Sequence, residues 1–204
     1  MSETASPPVR LKILQTGEPV LRQAARALTL DEIVHPAIQE LIAHMRDTMR
    51  DAPGVGLAAP QIGLAIQIAV IEDRAEYLTG IAPEILASRE RQPVPFMVLL
   101  NPRIVKYSDE TAEFFEGCLS VAGFSALVKR SRRVTVEYLD EGAQPRRVEA
   151  SGWFARILQH EIDHLHGSLY IDRMETRSFT SLENIGRHWK DLPVEAVRAA
   201  LGLR

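Results

Sequence analysis

Gln159–His160–Glu161–Ile162–Asp163–His164 is the stretch on which the reading of this chain turns. It lies in a run opened by Gly152, in which Trp153, Ile157, Leu158, Ile162 and Leu165 recur at helical spacing, with Gly167 as the stop. That pattern predicts an amphipathic helix. On such a helix His160 and His164, four residues apart, project from one face a turn apart, so two ring nitrogens can reach one metal ion. Glu161 is turned by about 100° and is poorly placed as a third ligand. It is well placed as a general base towards a water at that ion. The bland alternative is a pair of surface histidines beside a structural glutamate.

Around this helix the chain reads as a helix, then many strands, then the histidine helix. Upstream, Ile33, Val34, Ile38, Leu41, Ile42, Met45 and Met49 predict a helix from Asp31 to about Ala52, with Thr29 or Asp31 as N-cap and Gly54 as the stop. Pro19 opens a short helix through Val20, Leu21 and Ala24. Residues 65–71, 97–101, 104–107, 126–128, 134–139 and 147–150 read as strands, and 169–171 as one more. Residues 73–95 read as an insertion or long loop, and 194–201 as a short terminal helix. No internal repeat or dividing linker is visible. The expectation is an α+β fold in one domain.

Composition narrows the classes. The 204 residues are 46% hydrophobic and 25% charged, which suits a globular chain, and a formal net charge of −3 gives no sign of a general nucleic-acid binder. No apolar run is long enough to cross a bilayer. The single cysteine, Cys118, excludes an intrachain disulfide and suits a reducing compartment. Residues 1–10 look like neither a secretory signal nor an Arg-rich transit peptide. They are expected to form a flexible leader on a cytoplasmic protein.

A catalytic metal site needs a third protein ligand and an exchangeable position. Downstream of His164 the chain offers His166, Asp172, Glu175, Glu183 and His188; upstream it offers Cys118, within Glu116–Gly117–Cys118–Leu119–Ser120. A lone cysteine is ordinarily a small buried hydrophobe, but the flanking acid and glycine suggest a turn. In a third stretch, Gly54–Val55–Gly56–Leu57–Ala58–Ala59–Pro60–Gln61, the two glycines permit close backbone approach, and Pro60 stiffens the loop that carries Gln61. This stretch lacks the features of a phosphate-binding loop.

Together the three stretches resemble peptide deformylase, the metallohydrolase family that removes the N-formyl group from new polypeptides. Its motifs, Gly-apolar-Gly-apolar-Ala-Ala-Pro-Gln, Glu-Gly-Cys-apolar-Ser and Gln-His-Glu-x-x-His, stand here unsubstituted and in the family's order. The resemblance runs from about Ile13 to Met174, and it implies antiparallel sheets around a central metal-binding helix, in one catalytic domain over 11–204 that includes a C-terminal extension. Its context is similar to the organellar-type branch, and the expectation is a bacterial member, because no presequence is visible.

The resemblance implies that Cys118, His160 and His164 bind one divalent metal ion per chain, Fe(II) in cells and Zn, Ni or Co in purified protein. It implies that Glu161 shuttles the proton, and that the Gln61 amide and the Leu119 N–H stabilise the oxyanion. It implies formylmethionyl nascent peptides as substrate and the ribosome as a candidate partner, and no specific nucleic acid or membrane partner is expected. Val55, Gly56, Gly117, Phe114, Trp153 and Ile157 are the candidate substrate-binding residues. Lys129, Arg130, Arg132 and Arg133 are expected to form a solvated strand edge. Arg156 is expected to pair with Glu116. Asp163 is expected either to orient a ligand histidine or to face solvent. The alternatives are a metalloendopeptidase or a non-catalytic ribosome-associated protein.

Overall fold

The computed structural model describes residues 9–190 and 192–203. Most of the expected leader therefore lies outside the described residues. The first half of the chain gives α1 (Leu30–Val34), α2 (Pro36–Asp51), β1 (Gly56–Ala58), β2 (Ile68–Asp73), α3 (Pro83–Ser88) and β3 (Val94–Tyr107). The second half gives β4 (Thr111–Gly117), β5 (Phe124–Ser131), β6 (Arg133–Leu139), β7 (Pro145–Ser151), α4 (Gly152–Leu165), β8 (Thr180–Ser181), α5 (Leu182–Asn184) and α6 (Val194–Ala200). The strands form a five-stranded sheet, β1-β2-β3-β6-β7, and a three-stranded sheet, β4-β5-β8, with every neighbouring pair antiparallel. This is the expected α+β fold.

The central helix is α4, and strand periodicity explains its position. In β2, Ala69 and Ile71 face a core containing Ala155, Ile157, Leu158, Ile162 and Leu165 of α4. Ile68 and Val70 face the other way, onto Ile42, Met45 and Met49 of α2. A strand covered on both faces reads as a continuous apolar run, as residues 68–71 do. The same helix also packs against β5 of the smaller sheet. Gln159 fastens that contact, accepting from the Ser131 N–H and donating to the Ser131 carbonyl.

Several expectations need correction. The helix expected over Asp31–Ala52 is two helices, because Pro36 biases His35 out of the helical region. His35 instead caps α2, its ring accepting from the Ala37 N–H, while Thr29 caps α1 in a full capping box with Glu32. Residues 97–101 and 104–107 belong to one strand, β3. Pro102 is accommodated there by a register shift between Leu100 and Arg103, with Asn101 left-handed at φ 49°. The Asn101 amide holds this irregularity by exchanging two hydrogen bonds with the Leu28 backbone. Residues 169–171 form no strand but overlap a 3-10 turn over Tyr170–Asp172. The 73–95 segment contains α3 and a 3-10 turn over Ala75–Leu78. Strand β4 was not expected at all, although it carries Glu116 and Gly117 to the site.

Candidate metal centre

The register of α4 is fixed before any site chemistry is considered. Its apolar stripe and Gln159 lock the helix between the sheets, leaving His160 and His164 towards the end of β4. Antiparallel pairing of β4 with β5 across Thr111–Gly117 delivers Cys118 at the end of its strand. Ligand atoms of Cys118, His160 and His164 then lie within 4.8 Å of one another. Cys118 Sγ is 3.3 Å from His164 Nε2 and accepts a hydrogen bond from the Ser120 N–H at 3.4 Å.

The surroundings orient these donors. His160 Nδ1 is 3.0 Å from a Glu116 carboxylate oxygen, so its Nε2 is the nitrogen left for the cluster. Glu116 is buried and is gripped by Arg130, Nε at 2.6 Å and Nη2 at 2.9 Å, and by Arg156. Burial alone would raise the Glu116 carboxyl, but Arg130 and His160 more than offset it and hold it well below the usual carboxylate range. Arg130 reaches Asp163 as well, and Asp163 is paired with Arg173. Two expectations change here. Arg130 belongs to a buried ion-pair network rather than a solvated edge, and Asp163 serves arginines, leaving Glu116 to orient the histidine. The period of β5 carried the missed signal, because Arg130 shares a face with Ala126 and Val128. Arg156 pairs with Glu116 as expected.

Glu161 is buried beside the cluster, and its Oε2 has no hydrogen-bond partner. Burial pushes its carboxyl up to about 7. Gln61 is held in one orientation: its Oε1 accepts from the Ala58 N–H at 2.8 Å. Its amide nitrogen therefore donates to Ser120 Oγ at 3.2 Å and approaches Cys118 Sγ at 3.5 Å. A cleft of about 420 Å3 joins Val55, Gly56, Gln61, Gly117, Cys118, Leu119, Trp153, Ile157, His160 and Glu161. Phe114 is placed elsewhere, under the guanidinium groups of Arg89 and Arg156. Phe124 and Leu182, not singled out in the sequence, also line the cleft.

A thiolate and two imidazoles suit a borderline-soft divalent ion, and an orphaned buried carboxylate beside them suits proton transfer. This donor set, opening on a cleft within an α+β fold, defines a metallohydrolase. The family model for polypeptide deformylase matches residues 10–179, and the chain belongs to that family. It is 46% identical over 191 residues to the chloroplastic peptide deformylase 1A of Solanum lycopersicum, covering 94% of this chain and 67% of that protein. It is 46% identical over 193 residues to peptide deformylase 3 of Streptomyces avermitilis, covering 94% of this chain and 84% of the relative. Among solved structures, the Met-Ala-Ser-bound class I type b peptide deformylase of Acinetobacter baumannii superposes with a TM-score of 0.74 at 30% identity, over 82% of this chain and 100% of that one. The endopeptidase and non-catalytic readings are not favoured.

Proposed function

We propose that this chain hydrolyses the formyl amide of N-terminal formylmethionine on nascent polypeptides, with Fe(II) as the working ion in cells and Zn, Ni or Co as substitutes after purification. The observation that carries the site assignment is the convergence of Cys118, His160 and His164, with Cys118, His160 and the buried Glu161 carboxylate lining one cleft. Those three side chains hold the ion, which when bound supplies Lewis acidity at the formyl group.

The remaining chemistry belongs to the chain. Glu161, buried and with its Oε2 unpartnered, accepts a proton from the attacking water and returns it to the leaving amine as the carbon–nitrogen bond breaks. The products are formate and a free amino terminus. The Gln61 amide N–H and the Leu119 backbone N–H face the charge that develops on the formyl oxygen, a role worth about 10²–10³ in rate per donor. Gly56 lies in β1 and Gly117 in β4, each at the edge of its sheet, so an extended peptide can approach both backbones. Val55, Trp153 and Ile157 supply an apolar wall for the methionine thioether.

We place this activity in the cytoplasm, on chains emerging from the ribosome, with residues 11–204 acting as one catalytic unit. No helix among the described residues is long and apolar enough to cross a membrane. The test is anaerobic purification, metal quantification and activity after exposure to air. Ferrous protein should lose activity while nickel- or cobalt-loaded protein keeps it. Equal lifetimes would overturn the choice of iron.

A further inference from the structure

Arg89, just past the end of α3, is a half-buried cation without a counterion. Among the described residues no carboxylate pairs with it, and none of its side-chain N–H groups has a protein acceptor. The arginines around it are all paired: Arg91 with Asp73, Arg132 with Glu90 and Glu110, and Arg156 with Glu116. The Arg89 guanidinium lies over the Phe114 and Trp153 rings, 5.6 and 5.3 Å from their centroids, which cover it without neutralising it. Burial, with Arg91 and Arg156 as neighbouring like charges, pulls its guanidinium below the ordinary value.

This charge borders a small cavity of about 60 Å3, which Arg132 and Arg156 also line, with Glu90 as the one carboxylate. A water takes up about 30 Å3 of liquid, so the space suits a small ion. Ser88, Arg89, Ala112 and Phe114 also line a groove of about 590 Å3 bordered by α6, which gives an ion a way in. The backbone is held firmly here. The Arg89 carbonyl accepts from the Trp153 N–H at 2.9 Å, and a Cβ built on Gly152 would overlap that carbonyl and the Glu90 Cβ.

We propose that this cavity binds a small oxyanion of about the size of phosphate, with Arg89 as its principal partner. A planar guanidinium presents paired N–H donors that match two oxygens of one anion. The serine hydroxyls at the cavity donate elsewhere, Ser88 to the Ile85 carbonyl and Ser131 to the Ser108 carbonyl, so recognition rests on the arginine. The site is separate from the metal cluster, and Arg156 is the one residue that lines both this cavity and the catalytic cleft. A bound anion offsets the charge that burial disfavours at the contact between the 73–95 segment and the start of α4. Occupancy therefore stabilises the folded protein. The site does not depend on which substrate the cleft takes.

The test is calorimetric titration of metal-loaded protein with sodium phosphate, at an ionic strength held constant with sodium gluconate, whose anion is too large for the cavity. Wild-type protein should bind a phosphate saturably below about 10 mM and gain melting temperature as it does so. Arg89→Met should weaken that binding at least about tenfold, the scale of losing one hydrogen bond to a charged group, and should abolish the gain in melting temperature. Phosphate that binds Arg89→Met as tightly as wild type overturns the proposal, because the ion then sits elsewhere, the metal cluster included. A wild type with no saturable binding overturns it as well. Should Arg89→Met not fold, Arg89→Lys keeps the charge and loses the planar fork, and it must weaken phosphate at least about threefold. Unchanged affinity in that variant overturns the proposal.

Discussion

Gly56 leaves no room for a side chain because Glu161 occupies the space: a Cβ built on Gly56 overlaps Oε1, Cδ and Cγ of the Glu161 carboxylate. The glycine of β1 and the glutamate of α4 are thus one mechanical unit. The absence of a methyl group on the strand sets where the Glu161 carboxylate stands.

Gly56→Ala should therefore push the carboxylate out of place while leaving Cys118, His160 and His164 untouched. Metal content and melting temperature should stay near wild type while kcat falls about 10²-fold, the scale of a misplacement of roughly 1 Å in a catalytic group. Steady-state kinetics with metal analysis decides the matter. Wild-type kcat would mean that the carboxylate position is not what the reaction depends on.

The ligand assignment separates cleanly from the proton-transfer assignment. Cys118→Ala, His160→Ala and His164→Ala should each lose most bound metal. Glu161→Ala should keep its metal and lose nearly all turnover, because its carboxylate stands beside the donor cluster rather than within it. Normal metal content in Cys118→Ala would refute the three-ligand site, as would metal loss in Glu161→Ala refute the proton-transfer role.

The Glu116–Arg130 pair is buried on both sides, with side chains 4% exposed each. Removing one partner strands the other, so Arg130→Met should cost about 3–5 kcal/mol of stability. Glu116→Gln keeps the shape but weakens the hold on His160 Nδ1, and metal affinity should fall about 10–100-fold. Denaturant titration and competitive chelation measure the two effects. Unchanged affinity in a folded Glu116→Gln protein would show that His160 needs no such partner.

Ile157 belongs both to the core beneath α4 and to the cleft wall. Ile157→Asp should lower kcat/KM for formyl-Met peptides at least about tenfold, since a carboxylate against a thioether in an apolar site costs several kcal/mol. Metal should remain bound. A thermal melt must accompany the kinetics, and a folded, metal-loaded variant with wild-type kcat/KM would remove Ile157 from the methionine wall.

The sequence carried α4 almost whole, because one stripe of apolar residues, two histidines at helical spacing and two glycines all agreed on the same element. It carried β2 as well, since residues 65–71 read as a strand. What it hid were features made by pairing across the sheets. Arg130 looked like one cation of a solvated run until β5 turned it inward onto Glu116, 14 residues away along the chain. Phe124 and Leu182 show no local pattern, and only the pairing of β5 with β8 brings them together at the cleft. The break at His35 was a matter of local chemistry: Pro36 disfavours the helical conformation before it, and helical spacing on both sides concealed this.

Formate release is the most direct measurement of the central claim. Wild-type protein and Glu161→Ala, loaded with equal amounts of metal, should be given formyl-Met-Ala-Ser and an unformylated protein. The wild type should release one formate and expose one amino terminus per peptide, leave the protein uncut, and lose this activity in the variant. Internal cleavage without formate, or equal formate release by Glu161→Ala, would contradict the account.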